Sequence, residues 1–251
     1  MNIKKYYFPP VGFGFWFQFG VLNSIKDDDY IIYGSSAGSI ICLINILKPE
    51  DRQLENILFI SNKIRKKYKY NINLYHFIND FIKQIYIIIQ NYDETYISNK
   101  LKFTNIEVSQ IHTCYFIPYK ISSNFIQPKN LIHLQKLIIA SCFVPIVTIC
   151  NYNPFFYTID NKIYFDGFFG SFSNHNHLIK INSYKYSTLI PNDDAYFKKI
   201  YYKGCNYDIS QTNKQFTILT FIHITFNIFI DIIKKILFIF KYIYDRILLL
   251  L

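Results

Sequence analysis

The sequence predicts an α/β fold with parallel strands, and two stretches near its start carry that expectation. Four β-prone residues, Tyr30 to Tyr33, run into Gly34-Ser35-Ser36-Ala37-Gly38, and a segment suited to a helix follows. Upstream lie a strand, a glycine-bearing turn and a helix, so the order is strand, helix, strand, helix. Consecutive strands joined by a helical crossover pair in parallel.

The first strand is Lys4 to Pro9, and "VGFGF" supplies the turn after it. Trp16 to Ile25 is the first helix, stopping before "KDDD". Tyr30 to Tyr33 carries no charge, as suits a strand buried on both faces. Ser36 to Leu47 is the second helix, ended by Lys48-Pro49. Glu50 to Lys69 and Leu74 to Gln90 read as amphipathic helices. "IEVSQIH" and "CYFIPYKI" read as strands, and "NLIHLQKLIIASCFVPIV" as a helix running into a turn at Pro145. "FFYTIDNKIYFDGFF" reads as a hairpin with Asp160-Asn161 at its tip. "FTILTFI" is a last strand, and a long helix starts at about Asn227. With no repeat and no Pro/Gly/Ser linker, residues 1–251 are expected to form one domain. The motifs fall within about 4–172, and a C-terminal strand and amphipathic or interfacial helix within about 216–251.

Hydrophobic residues make up 51% of the chain and charged residues 18%, which excludes a disordered chain. Lys, Asn, Ile, Tyr and Phe share AT-rich codons, so single aromatic residues carry little functional weight. A net charge of +10 favours anionic partners without choosing among them. The five cysteines contain no C-x-x-C, and their spacings fit no zinc pattern, as expected of buried thiols in a reducing compartment. There is no N-x-[ST] glycosylation acceptor. "MNIKK" and the apolar run to Leu22 imitate a signal sequence, but Pro9-Pro10 and the glycines at 12, 14 and 20 break an apolar helix there.

Gly34-x-Ser36-x-Gly38 has the form of a nucleophile elbow. At such a turn the serine takes a strained backbone conformation that lifts its Oγ above the sheet. Residues two before and two after it crowd each other and must be tiny. The helix that follows aims its first N–H groups at the site. Only 35 residues precede Ser36, too few for the several strands that lead an α/β-hydrolase elbow. Oxyanion donors should then come from the earlier strand-to-helix turn, Gly12-Phe13-Gly14, where glycine permits close approach. The serine also needs a base. Histidines stand at 76, 112, 133, 175, 177 and 223, none in a compelling motif. The clearer candidate is Asp166, at the end of a hairpin strand and followed by Gly167.

Taken in order, "VGFGFWFQFGVL", "IIYGSSAGSI", "IIASCFVPIV" and "IYFDGF" resemble the four motifs of the patatin-like phospholipase family, over Tyr6 to Gly170. The resemblance implies a three-layer sandwich with a mostly parallel central sheet. It implies a Ser–Asp dyad without histidine: Ser36 as nucleophile, Asp166 as general base, and the N–H groups of Gly12, Phe13 and Gly14 as the oxyanion hole. The substrate implied is a phospholipid, galactolipid or acylglycerol, with no metal or organic cofactor; a transacylase would look the same. Three departures stand out. Trp16 and Phe17 take the places of a basic residue and a glycine, Phe13 replaces the middle glycine, and Phe168 stands where Gly or Ala is usual.

Lys63, Arg65, Lys66, Lys67 and Lys69 sit where a helix end welcomes cations, or where anionic lipid headgroups would be attracted. No nucleic-acid motif accompanies them, so nucleic acid is not an expected partner. The tail from Gln215 has an uncharged run of 16 residues, short for a membrane span, followed by a thin polar stripe. The expectation is an intracellular, cytoplasmic lipid acyl hydrolase associated peripherally with a membrane surface. Two other readings compete with it. One is a catalytically weak or inactive protein of the same fold that binds lipid or membrane. The other is a Ser–Asp–His hydrolase using His175, His177 or His223.

Overall fold

A computed structural model describes residues 3–27, 29–68, 74–114, 117–143, 157–167, 177–181, 183–186 and 193–211. Strand β1 is Lys4–Phe8, helix α1 Phe15–Ser24, β2 Tyr30–Ser35 and α2 Ala37–Ile44. Then come α3 Leu54–Lys67, α4 Leu74–Ile89, α5 Glu94–Lys102, β3 Thr104–Cys114, β4 Ile117–Ile126 and α6 Leu131–Ser141. The hairpin strands β5 Tyr157–Ile159 and β6 Lys162–Phe165, then β7 Ile179–Lys180 and α7 Asp194–Cys205, complete the set.

The fold is α/β, but the sheet is mixed. β1 pairs in parallel with β2 and β7, and β2 pairs in parallel with β3. β3 pairs antiparallel with β4 and β6, and β5 antiparallel with β6. The expected parallel arrangement therefore holds for the strands around the elbow and gives way beyond β3. The reason is connectivity: a tight hairpin such as β5–β6 can only be antiparallel. Its turn matches expectation, with Asp160 and Asn161 both at positive φ (49° and 61°), the backbone a two-residue hairpin needs.

Helices α1 and α2 are apolar almost all round, and all eight residues of α2 are buried. Such helices belong in an interior. α2 packs on β1, β2 and β3 and against α1, α4 and α6. Phe8, Ile32, Ile106 and Val108 on the strands share one buried cluster with Ile41 and Ile44 of α2. α5 and α7 are additions to the expected helices, each started by an aspartate, Asp93 and Asp193, whose side chain accepts from the first-turn N–H groups. α6 is capped by Asn130, whose Oδ1 accepts the His133 N–H at 2.8 Å. Asn130→Ala is expected to cost about 1 kcal/mol of stability in urea denaturation, as loss of an N-cap does. The "FTILTFI" strand, the Pro145 turn and the helix from Asn227 lie outside the described residues.

Candidate active site

The long strand β3 brings the site together. β4 lies along one edge of β3 for nearly its whole length, Ile106 to Cys114. The other edge is shared. β2 occupies it up to Ser35↔Glu107, and β6 occupies it from Ile111↔Ile163 to Phe165↔Ser109. Since β2 runs parallel to β3 and β6 antiparallel, the two strands advance toward each other and end facing one another, with Val108 between their last partners. The residue after β2 is Ser36, and the residue after β6 is Asp166. There the Ser36 hydroxyl donates to Asp166 Oδ2 at 2.7 Å.

Ser36 has φ 50° and ψ −124°, a region costly for any residue with a Cβ. The surrounding packing enforces it. A Cβ on Gly34 would lie 2.4 Å from the Gly38 carbonyl oxygen, and one on Gly38 only 1.9 Å from the Phe8 carbonyl oxygen. The elbow is thus pressed against both its own helix and β1. Ser36 is the N-cap residue of α2, so it stands at the positive end of that helix, though its side chain makes no capping hydrogen bond.

Ser36 is partly exposed, while Asp166 is only 1% exposed. The Asp166 backbone is held at both ends: its N–H donates to the Phe143 carbonyl at 2.8 Å, and its carbonyl accepts from Ser109 Oγ at 2.9 Å. Burial pushes the neighbouring Cys142 thiol well above its ordinary range, and the Asp166 charge pushes it the same way. That thiol stays protonated.

In the glycine turn, Gly12 has φ 55°, and the Gly14 N–H donates to the Val11 carbonyl at 3.0 Å. Gly14 therefore spends its donor on closing the turn. The Phe13 ring turns into the core, 5.4 Å from Phe77 and 6.3 Å from Phe197. Trp16 stacks on Phe197, and Phe17 packs on Tyr186 and Tyr207, so the departures at 16 and 17 are core contacts of α1. Phe168 lies outside the described residues.

Of the histidines in the competing triad, His177 is exposed, and His175 and His223 are outside the described residues. His133 serves α6: its Nδ1 accepts the Lys129 N–H, and burial, then Lys129, lower its pKa. Among the described residues no group of three or more His, Cys, Asp or Glu is placed to hold a metal ion. The basic run ends α3, where Arg65 pairs with Asp194 and Lys67 with Asp80. Lys69 is outside the described residues. Ser109 and Ser141, which hold the backbones of Asp166 and Ser36, carry no sequence signal of their own beyond their places in "IEVSQIH" and "IIASCFVPIV".

Compared with known proteins, the chain matches no family model, no curated protein and no solved structure.

Proposed function

We propose that the protein is a serine acyl hydrolase acting through a Ser36–Asp166 dyad. The observation that carries this reading is the 2.7 Å hydrogen bond from Ser36 Oγ to the buried Asp166 carboxylate, at a backbone geometry costly enough to need a purpose. In the acylation step Ser36 Oγ bonds to the ester carbonyl carbon as its proton passes to Asp166. The bond to the alcohol oxygen then breaks, and the alcohol leaves with that proton. A water next gives a proton to Asp166 and its oxygen to the acyl carbon, and Ser36 departs reprotonated. Oxyanion stabilisation falls to the Gly12–Phe13 backbone and the first turn of α2.

The four ordered motifs add the patatin-like assignment and with it the substrate class: a phospholipid or acylglycerol drawn from a membrane surface on the cytoplasmic side. No described helix is long and apolar enough to cross a membrane. Ordinary serine hydrolases place an imidazole against the nucleophile; here a carboxylate takes that place, which favours the dyad over the triad. The inward packing of Phe17 removes one motive for the inactive reading.

The test is to treat the protein with a fluorophosphonate and locate the adduct by mass spectrometry. In the expected reaction Ser36 Oγ bonds to phosphorus, fluoride leaves, and the hydroxyl proton goes to Asp166. A folded protein that takes up no probe would sink the proposal and revive non-catalytic lipid binding, and uptake only at another serine would sink it in favour of a different nucleophile. Vesicle assays of acyl release then identify the lipid.

A further inference from the structure

We propose that Ser141, in the last turn of α6, is a positioning residue that sets the nucleophile against its base; this rests on the acyl-transfer reading above. The Ser36 N–H donates to Ser141 Oγ at 2.8 Å, and the Ser141 hydroxyl in turn donates to the Glu107 carbonyl at 2.6 Å. The first of these bonds answers a specific need. β2 makes its last pairing with β3 at Ser35↔Glu107, and α2 starts only at Ala37. The Ser36 amide therefore falls between ladder and helix, and neither supplies it with an acceptor. Ser141 is fully buried, so its hydroxyl is the partner on hand where water is excluded.

The acceptor at the far end is itself fixed. Both oxygens of the buried Glu107 carboxylate are engaged, Oε2 by Tyr7 and Oε1 by Ser123, each at 2.6 Å. Glu107 is thus tied to β1 and β4 as well as to β3's own ladder. A hydroxyl that accepts and donates at once is polarised in both bonds, so the relay from Ser36 through Ser141 to Glu107 is cooperative.

The same short segment also holds the base. Two residues beyond Ser141, the Phe143 carbonyl accepts the Asp166 N–H. The exit of α6 therefore grips the amide of the nucleophile and the amide of the base together. It fills the gap where β2 and β6 end against each other. The fit there is close: a Cβ on Gly167 would lie 3.1 Å from Ser141 Oγ, 2.4 Å from Ser35 Oγ and 2.6 Å from the Glu107 carbonyl oxygen. Without the hydroxyl the elbow amide loses its acceptor, and the strained turn is free to rotate Oγ away from Asp166. Misplacing a reacting group by about 1 Å costs about 100-fold in rate.

The experiment measures the limiting rate and half-saturation of fluorophosphonate labelling at Ser36. It compares the wild type with Ser141→Ala, Ser141→Cys and Ser141→Thr. Ser61→Ala is the control, since Ser61 is as deeply buried on α3 but its hydroxyl has no hydrogen-bond partner among the described residues. Ser141→Ala and Ser141→Cys should each lower the limiting rate about 10- to 100-fold with half-saturation unchanged. Ser141→Thr, which keeps the hydroxyl, should recover most of it, and Ser61→Ala should match the wild type. Cysteine is only somewhat larger than serine and accepts hydrogen bonds poorly, so it carries the prediction if the alanine variant does not fold. Labelling of Ser141→Ala or Ser141→Cys at the wild-type rate would overturn the positioning role while leaving the dyad intact. A folded wild type that does not label would overturn both.

Discussion

Asp166→Asn should slow acylation of Ser36 by about 1,000-fold, within the range that a general base contributes, while leaving the protein folded. The substitution keeps the side chain's volume and spares the backbone bonds to Phe143 and Ser109 that hold the turn. The amide oxygen still accepts the 2.7 Å hydrogen bond from Ser36, so the nucleophile keeps its orientation. What is lost is the capacity to take the proton as the carbon–oxygen bond forms. Single-turnover ester cleavage and fluorophosphonate labelling should fall together, with the melting temperature within a few degrees of wild type. Full activity in Asp166→Asn would remove Asp166 as the base and return attention to the histidines. Ser36→Ala is the companion variant and should not label at all.

Gly38→Ala should be the most destabilising change at the site, costing about 3 kcal/mol or more. Its new methyl would sit 1.9 Å from the Phe8 carbonyl oxygen and 2.6 Å from the Phe8 carbonyl carbon. Neither is the end of a flexible side chain. Phe8 is held in register with Gly34 across the β1–β2 ladder, and Gly38 is buried in the first turn of α2. Relief would require parting β1 from α2, which the buried cluster containing Phe8 and Ile41 resists. For a chain of this length the melting temperature should drop by about 10 °C, at the few degrees per kcal/mol usual for such a size. A drop of less than about 2 °C would show that β1 does not press on the elbow as described.

These two predictions differ in how far the sequence foretells them. The crowding of Gly34 against Gly38 is local, written in five consecutive residues, and the structure bears it out; the crowding of Gly38 comes from Phe8 on β1 and is tertiary. The hairpin tip is local too, because the backbone required at Asp160-Asn161 is one those residue types tolerate. α5 escapes the periodicity argument for a physical reason. Of its residues only Leu101 is buried, so no apolar stripe marks it, and its signal is the Asp93 cap instead. α7 does carry apolar spacing, at Phe197, Ile200, Tyr201 and Gly204, and packs against α1. The mixed sheet is another matter. β6 reaches β3 across about fifty residues of chain, and no local propensity encodes which edge it joins or in which direction it runs.

By itself, then, the sequence determined the elbow, its tiny flanking residues, the glycine turn before it and the hairpin that ends at Asp166, because each depends on backbone preferences within a few residues. Only the tertiary structure decided that Ser36 and Asp166 meet. That meeting depends on β2 and β6 sharing one edge of β3 from opposite directions, and on Ser141 and Phe143 filling the space where they end. Such relations are set by long-range pairing and burial, which act between segments far apart in the chain and leave no mark on the spacing of residues within any one of them.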